Sequence, residues 1–222
     1  MPPPLPVGGE SGGFRSGMKS HLAGLLARRP ELSACSGEIR AAYATLPTCF
    51  KNGGRAYLCG NGGSAADCEH WAGELLKGFC SKRPARLPRG KSLPTELRRL
   101  QGGLPAIPLT GFLSLRTAFA NDVDPALEFA QLVWALGRPG DVLVSISTSG
   151  NARNVGLAAQ AAKLRRMPVI GLSGANGGKL RQLADPSIRV PAAQTHLIQE
   201  LHLAIYHTLC LALEAEFFPN RK

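Results

Sequence analysis

A carboxylate and an imidazole four residues apart, Glu74 and His70, are the first side chains in this sequence that could do chemistry together. On a predicted helix over residues 64–79, the i, i+4 spacing places them on one face, within reach of a common ligand. The spacing suits a metal site or an acid–base site, and it is equally common in surface ion pairs. The glycine-rich turn directly before the helix favours a functional site, because a ligand anchored at the turn extends over this part of the helix.

A second group of polar residues interrupts the last predicted helix, residues 195–218, which is apolar nearly all round. A helix of that kind is buried. It nevertheless carries Gln199, Glu200, His202 and His207. Buried polar groups destabilise a fold unless they are paired. Their presence therefore indicates a functional site on this helix, and the alternative is a narrow solvent-exposed stripe.

Two polar turns at predicted strand-to-helix junctions could bind phosphate. Residues 60–64 read GNGGS, and residues 145–151 read SISTSGN. Glycines let the backbone approach an anion, and a helix N-terminus presents N–H groups with a favourable dipole. One glycine-rich turn alone is weak evidence, since turns need glycine anyway, and helix capping accounts for one or two of the hydroxyls in the second turn. The two junctions together favour a phosphate site.

The elements that must hold these turns repeat a pattern of short apolar run, polar turn and amphipathic helix. The apolar runs are AYLC at 56–59, VLVSIS at 142–147 and PVIGLS at 168–173, with helices predicted over about 64–79 and 152–165 and a short one after the third run. Three such units predict a parallel sheet covered by helices on both faces. Ligands of such sheets collect at the carboxyl ends of the strands, where the polar turns lie. Before the first strand, helical spacing broken at Pro30 predicts two helices between Met18 and Lys51.

Length and composition limit the function classes. The 222 residues suffice for one α/β domain, so we expect residues 1–17, rich in Pro and Gly, to be a disordered extension or tag before a single domain at 18–222. The six cysteines form no CxxC pair, which predicts reduced and mostly buried thiols. No stretch approaches the roughly 20 apolar residues of a membrane span. We therefore expect a cytoplasmic protein without membrane contact.

The chain carries a net charge of +11, which attracts polyanions or small anionic substrates. Much of the excess lies in a loop insertion at 81–105, which has seven Lys or Arg residues, one Glu and four prolines. Such a loop is either solvated or forms a lid or rim beside an anionic ligand. No nucleic-acid motif and no interleaving of aromatic and basic residues accompanies it, so nucleic acid is not an expected partner.

Five segments in order resemble the sugar isomerase (SIS) family, and within it the phosphoheptose isomerases, over nearly all of residues 18–218. They are GNGGSAADCEHWAGEL at 60–75, FANDVDP at 119–125, ISTSGN at 146–151, LSGANGGKL at 172–180 and IQELHLAIYH at 198–207. The resemblance implies a three-layer α/β/α sandwich with a parallel sheet, whose two N-terminal helices help to build a homotetramer. It also implies conversion of sedoheptulose 7-phosphate to D-glycero-D-manno-heptose 7-phosphate, by proton transfer through an enediol.

The resemblance implies roles for individual residues. Glu74 and His207 match the pair that transfers protons. Residues that match the phosphate and sugar contacts are Asn61, Gly62, Gly63, Ser64, Asp122, Ser147, Thr148, Ser149, Asn151 and Gln199. The family's metal ligands, usually with zinc bound, match His70, Glu74, Gln199 and His207. Ala152 stands where the family often has Ser, which removes one possible hydroxyl from the phosphate turn.

Helix geometry limits how these ligands can meet. Gln199 and His207 are eight residues apart, which is about 12 Å along a straight helix and roughly 80° around it. If all four ligands meet one metal, the site is completed across a subunit interface or the helix bends. An alternative from another function class is a non-catalytic SIS protein that binds a phosphosugar or a replication-initiator partner. The presence of both Glu74 and His207 favours the enzyme.

Overall fold

A parallel five-stranded sheet lies between two layers of helices, as the repeated strand–turn–helix units predict. The computed structural model describes residues 11–85, 87 and 91–219. The helices are α1 (Ser11–Arg28), α2 (Ser36–Lys51), α3 (Gly63–Leu76), α4 (Leu113–Asp122), α5 (Glu128–Leu136), α6 (Arg153–Leu164), α7 (Leu180–Leu183) and α8 (Thr195–Phe217). The strands are β1 (Ala56–Cys59), β2 (Ala106–Pro108), β3 (Val142–Ile146), β4 (Val169–Ser173) and β5 (Ser187–Arg189). Short 3-10 helices lie at Pro30–Cys35, Thr95–Leu97, Leu109–Gly111 and Pro125–Leu127.

The strand order places both polar turns at one crevice. The order is β2-β1-β3-β4-β5, and every neighbouring pair is parallel. The chain moves outward from β1 to β2 and then crosses back to β3, so its direction of travel reverses between β1 and β3. In sheets of this order, ligands bind outside the carboxyl ends of the strands at that reversal. The predicted phosphate turns follow β1 and β3 and therefore flank this position.

Each face of the sheet has its own apolar core. Helices α1, α2, α3 and α8 cover one face, where Leu25, Phe50 and Leu209 are fully buried. Helices α5, α6 and α7 cover the other, where Phe129 and Leu143 are fully buried. Burying a large apolar side chain stabilises the fold by about 1.5–3 kcal/mol. Strands β1 and β3 are buried at every position, which is why they read as continuous apolar runs rather than alternating ones.

The helix boundaries differ from the predicted ones mainly at the N-terminus. Helix α1 begins at Ser11, inside the stretch expected to be a disordered extension, and the predicted domain start Met18 is buried within it. The prolines of that stretch end at Pro6, so no proline interrupts a helix over 11–17. Residues 1–10 lie outside the described part of the chain. Helix α3 stops at Leu76 because Lys77 is extended, with φ −134° and ψ 178°.

Two predictions from composition concern thiols and membranes. All six cysteines are free and all except Cys80 are buried, as predicted. Burial raises the pKa of Cys35 to about 11, so this thiol stays protonated at neutral pH. No helix among residues 11–85, 87 and 91–219 has the length and apolar character needed to cross a membrane.

The basic insertion is fixed at its base by a buried ion pair. The Arg83 side chain donates to Glu214 Oε1 at 2.7 Å and to the Leu75 carbonyl at 3.0 Å, and Arg83 is only 1% exposed. The Glu214 carboxylate also accepts three successive backbone N–H groups at 79–81. We call Arg83, Glu214 and residues 79–81 the base clamp. It corrects the interpretation of the whole insertion as a loop, because one of its seven basic residues is a core group.

Beyond the base clamp, residues 94–101 of the insertion are exposed. Pro84 and Gln101 form an antiparallel bridge that brings its two ends together. Between them, Lys91, Arg98 and Arg99 are exposed around the single 3-10 turn at 95–97. Residues 86 and 88–90 lie outside the described part of the chain. Over residues 94–100 the exposed side chains agree with the solvated-loop alternative.

Candidate active site

The turn between β1 and α3 brings a helix N-terminus and a side-chain amide to the carboxyl edge of the sheet. Gly62 has a φ of 56°, in the left-handed region that glycine adopts without strain. A Cβ on Gly60 would lie 2.7 Å from the Ser64 carbonyl oxygen, so the turn is too tight for a side chain there. Asn61 is exposed and Ser64 is buried in the first turn of α3. The turn can therefore offer backbone N–H groups and the Asn61 amide to an anion.

The hydroxyl-rich turn between β3 and α6 makes local hydrogen bonds. Ser149 Oγ accepts the Asn151 N–H at 3.1 Å, and Ser147 Oγ accepts the Ala152 N–H at 3.4 Å. Ser147 is buried, Thr148 is half-buried and Ser149 is exposed. A hydroxyl that accepts a bond still carries its own hydrogen, which it can donate to a phosphate oxygen. The turn thus satisfies its backbone and retains donors for a ligand.

The same turn is held against the turn that follows β4. Gly150 has a φ of 67°, and a Cβ on it would lie 2.0 Å from the Gly177 carbonyl oxygen. Asn151 Oδ1 accepts the Lys179 N–H at 3.0 Å. Only glycine allows both the positive φ and this close approach. The phosphate turn is therefore braced by a neighbouring loop instead of projecting freely.

A polar network that the sequence analysis missed joins the turns after β1 and β3. Asn61 Nδ2 donates to Asn154 Oδ1 at 2.8 Å, and Asn154 Nδ2 donates to Asn61 Oδ1 at 2.9 Å and to Glu128 Oε1 at 3.0 Å. Glu128 also accepts Arg116 Nε at 2.7 Å. The sequence signal for this network was a carboxylate, Glu128, at the start of the mostly apolar helix α5. In the structure Glu128 is only 8% exposed.

Helices α3 and α8 bring together five side chains that we call the reactive cluster: Asp67, His70, Glu74, Tyr206 and His207. As the i, i+4 spacing predicts, His70 and Glu74 face each other, with His70 Nε2 3.4 Å from Glu74 Oε1. The ring centroids of His70 and His207 are 5.0 Å apart. Lys77, which lies outside the cluster, places Nζ 3.0 Å from Glu74 Oε2. The carboxylate of Glu74 therefore lies between the Lys77 ammonium and the His70 imidazole.

The environment of His207 favours its neutral form. Burial lowers its pKa, the neighbouring His70 lowers it further, and the carboxylate of Glu74 acts in the opposite direction. His207 Nε2 is buried and has no hydrogen-bond partner among the described residues. A neutral imidazole with one unpaired nitrogen can exchange a proton with a ligand or bind a metal ion.

Gln199, one of the predicted site residues, lies apart from the reactive cluster. The Gln199 amide packs on Gly63, where a Cβ would meet its Nε2 at 2.4 Å. Gly63 is seven residues before His70 on α3, which is about 10 Å along the helix. Helix α8 is unbroken from Thr195 to Phe217, so Gln199 and His207 lie apart within this chain, as helix geometry predicts. Asp122 is exposed at the end of α4, where it accepts a bond from Asn121.

The donors of the reactive cluster fit zinc in part. No group of three or more His, Cys, Asp or Glu side chains in the described part of the chain is gathered around one point. His70 Nε2 and Glu74 Oε1 are, however, 3.4 Å apart, which is roughly the separation of two ligands on a tetrahedral zinc ion. The unpaired His207 Nε2 supplies a third donor of the right chemistry. Gln199, beside Gly63, is not placed to join them in this chain.

Comparison with known proteins gives one consistent result. The SIS domain family matches residues 113–215. A phosphoheptose isomerase of Rhodospirillum rubrum is 40% identical over 183 residues, covering 82% of this chain and 88% of the relative. Another, from an Azoarcus species, is 42% identical over 175 residues, covering 78% and 80%.

Solved structures agree. A phosphoheptose isomerase from Neisseria gonorrhoeae superimposes with a TM-score of 0.67 at 35% identity, covering 89% of this chain and 96% of that one. The one from Francisella tularensis gives 0.71 at 32% identity, covering 88% and 95%. Sequence and fold therefore match over most of the length of these relatives, and this chain belongs to the phosphoheptose isomerase family of SIS-domain proteins.

Proposed function

We propose that this protein is a phosphosugar isomerase that converts sedoheptulose 7-phosphate to D-glycero-D-manno-heptose 7-phosphate. The observation that carries the proposal is the reactive cluster, in which Glu74 and His207 from different helices meet around His70. A non-catalytic phosphosugar-binding protein needs the polar turns and has no use for this cluster. The names of the relatives support the choice of a heptose phosphate.

Glu74 is the proposed proton carrier. An aldose–ketose isomerase removes a proton from the carbon beside a carbonyl and returns it to the neighbouring carbon, through an enediol. A carboxylate is suited to this role because it is an acceptor when ionised. Glu74 Oε2 contacts Lys77 Nζ at 3.0 Å, and Oε1 remains on the side of His70.

His207 is the proposed partner at the substrate oxygens. Its lowered pKa keeps the ring neutral at neutral pH, so it can move a proton between the two oxygens of an enediol. The phosphate would be held by the turn after β3 through Ser147, Thr148 and Ser149, with Asn61 and Ser64 contributing from the turn after β1. Gln199, on Gly63, would contact the sugar between these turns and the reactive cluster.

Zinc is the proposed metal, held by His70, Glu74 and His207. When bound, it would polarise the substrate carbonyl and stabilise the negative charge on oxygen. The imidazole and carboxylate donors and the 3.4 Å separation support this ligand set. Gln199 would complete it only if assembly or helix bending brought a fourth ligand into reach.

A homotetramer with sites at subunit interfaces is the proposed assembly. Helix α4 has no buried residue, and Leu113 and Val123 beside it are 71% and 60% exposed. Asp122 lies at the end of this uncovered helix, where it accepts a bond from Asn121. A second copy covering α4 would bury the apolar side chains and could bring Asp122 to a neighbouring site. Light scattering after size exclusion should give four times the 23.5 kDa chain mass, and a monomer mass would reject the assembly.

The test of the activity is direct. Purified protein with zinc, and separately with a chelator, is incubated with sedoheptulose 7-phosphate while proton NMR follows the aldose. We expect turnover by the wild type, and a decrease in kcat of about 10²–10⁴-fold for Glu74→Gln, because general base catalysis contributes that much. Binding of inorganic phosphate, measured as a rise in Tm, should be unchanged in the variant.

Glu69→Gln is the matched control. Glu69 is an exposed carboxylate on the same helix that accepts a bond from Thr110, outside the reactive cluster. Its kcat should stay within about twofold of wild type, since surface changes have small effects. A wild type that binds phosphosugars and turns over no ketose phosphate would make the protein a non-catalytic SIS protein instead. Full activity in Glu74→Gln would remove Glu74 from the mechanism.

A further inference from the structure

Tyr206 connects two side chains of α3 that are three residues apart. Its hydroxyl lies 3.3 Å from Asp67 Oδ1 and 3.0 Å from His70 Nδ1. Asp67 and His70 share one face of the helix because of their i, i+3 spacing. The hydroxyl therefore bridges a carboxylate oxygen of the half-buried Asp67 and the ring nitrogen of His70 that points away from Glu74.

The Tyr206 ring is held rigidly. The residue is fully buried, and its ring stacks on Trp71 with centroids 5.4 Å apart and an interplanar angle of 15°. The His70 ring meets its edge at 5.6 Å and 80°. Packing on both sides fixes where the hydroxyl lies, and a fixed hydroxyl is a fixed partner for His70 Nδ1.

The hydrogens in this chain of contacts follow from the acceptors present. A tyrosine hydroxyl carries one hydrogen, and here it donates that hydrogen to Asp67 Oδ1 at 3.3 Å. The hydroxyl oxygen is then left to accept from His70 Nδ1–H. The other nitrogen of the ring, Nε2, carries a lone pair and faces Glu74 Oε1 at 3.4 Å.

A lone pair that faces a carboxylate needs a cation or a proton between them. His70 Nε2 and Glu74 Oε1 are 3.4 Å apart, which is longer than the 2.7–2.9 Å typical of a charge-assisted hydrogen bond. A ligand bound by both atoms requires such a gap. We propose that Asp67 and Tyr206 are positioning residues, which hold His70 in the Nδ1–H tautomer and present its bare Nε2 toward Glu74 and His207. The inference rests on the proposed function for its catalytic consequence only. The tautomer itself is observable in the zinc-loaded protein without substrate.

Histidine NMR of the zinc-loaded protein tests the tautomer without substrate. The chain has five histidines, and nitrogen-15 labelling distinguishes protonated from bare ring nitrogens, with His70→Gln identifying the His70 signals. Wild type should show Nδ1 protonated and Nε2 bare. Tyr206→Phe keeps the stacked ring and removes the hydroxyl, so His70 should shift toward the Nε2–H tautomer. An Nε2–H tautomer in the wild type, or an unchanged tautomer in Tyr206→Phe, would overturn the proposal.

Metal affinity and turnover supply independent readouts. Loss of a group that orients a metal-binding histidine weakens metal affinity or activity by about 10–100-fold. We expect zinc titration to show this loss for Tyr206→Phe, with kcat reduced by a similar factor and KM nearly unchanged, because the phosphate turns are not altered. Asp67→Asn, which keeps Tyr206 in place and exchanges the carboxylate for an amide, should show a smaller loss of the same kind.

Tyr57→Phe is the control for loss of a buried hydroxyl. Tyr57 is 1% exposed on β1 and donates to the Leu136 carbonyl at 3.1 Å, on the opposite face of the sheet. It should lose stability without changing the His70 tautomer or zinc affinity. An inactive protein whose tautomer shifts as expected rejects the proposed function and supports this inference. An active protein with equal zinc affinity in both Tyr206→Phe and Tyr57→Phe rejects the inference alone.

Discussion

The base clamp and the reactive cluster share helix α8, and their buried charged groups differ in how far they are paired. In the base clamp, the side chains of Arg83 and Glu214 are 0% and 6% exposed, and Glu214 binds the guanidinium and three N–H groups. In the reactive cluster, the His70 side chain is 45% exposed. Asp67 Oδ2 and His207 Nε2 are buried without a partner among the described residues.

This difference indicates that the base clamp serves stability and the reactive cluster serves chemistry. A buried charge is tolerated when hydrogen bonds saturate it, and the base clamp uses this to fix the end of α3 through the carbonyls of Glu74 and Leu75. Unpaired polar atoms cost stability. In the reactive cluster they lie where a substrate or metal ion could supply the missing partner. The saturated region thus supports the unsaturated one.

Removing one partner of the base clamp should have the largest effect on stability. Glu214→Ala leaves the buried Arg83 guanidinium without its carboxylate and three N–H groups without an acceptor. Breaking a buried ion pair in this way costs about 3–5 kcal/mol. Urea unfolding should show the loss as a lower midpoint. Glu31→Gln, in the exposed 3.9 Å pair with Arg29, should change stability by less than about 1 kcal/mol.

The same ion pair predicts an acid limb. Burial raises the pKa of Glu214, but its bonds from the 79–81 backbone and from Arg83 outweigh that effect, so the pKa is lowered overall. The stabilisation is present above the ordinary pKa of about 4.5 and is lost as pH falls toward the folded-state value. Glu214→Gln should flatten stability in that range. An equally steep acid limb in the variant would show that other groups dominate it.

His202 combines features of both regions and gives the next largest effect. It is fully buried, its Nε2 contacts the Ser173 carbonyl at 3.3 Å, and its Nδ1 has no described partner. Burial lowers its pKa to about 4. The unfolded chain binds a proton near pH 6.5 and the folded chain does not. Stability should therefore fall by up to roughly 3 kcal/mol as pH decreases from 6.5 to 4.

Unfolding curves of His202→Leu measure this directly. The variant should lose most of the slope between pH 6.5 and 4, whatever its stability at pH 7. His196→Gln, at the exposed start of the same helix, should keep the wild-type slope. If His202→Leu keeps the full slope, the pH dependence belongs to the reactive cluster instead. His202 would then not differ from the cluster histidines in its effect on stability.

Local patterns predicted the reactive cluster better than they predicted the base clamp. The strand–turn–helix units and the His70–Glu74 pair depend on spacings of a few residues, which the sequence displays directly. In the sequence, Arg83 looks like one charge in a basic loop. No local pattern reveals its ion pair, because its partner Glu214 is 131 residues away. In the sequence, Tyr206 looks like one more apolar position on a buried helix. Its hydroxyl finds its partners Asp67 and His70 only because α3 packs beside α8. Strands β2 and β5 have three residues each, too few for a pattern.

The polar turn after β3 resembles the base clamp in being tightly packed, and glycine substitution tests this. Gly150→Ala introduces a Cβ about 2.0 Å from the Gly177 carbonyl at a φ of 67°. Gly53→Ala meets the same kind of strain, with a φ of 74°, and no atom within 4 Å. Left-handed backbone costs about 1–2 kcal/mol for a non-glycine residue.

We expect Gly53→Ala to lower the free energy of unfolding by about 1 kcal/mol and Gly150→Ala by about 2–3 kcal/mol. The difference between them measures the close approach of the two turns. Gly150→Ala should also weaken protection by inorganic phosphate in thermal unfolding, because the turn must shift. Equal losses in both variants would mean that the turn after β3 relaxes freely.

The smallest expected stability effect belongs to a residue we place in the phosphate site. Ser149 is exposed, and its Oγ accepts one backbone N–H, so Ser149→Ala should cost about 0.5–1 kcal/mol. Its KM for the sugar phosphate should rise while kcat changes little. Thr45→Ala removes a hydroxyl that donates to a carbonyl on an exposed face of α2 and should change neither. A stability loss above about 2 kcal/mol with unchanged KM would place Ser149 with the base clamp, as a structural group, since a ligand-binding hydroxyl shows its effect in affinity.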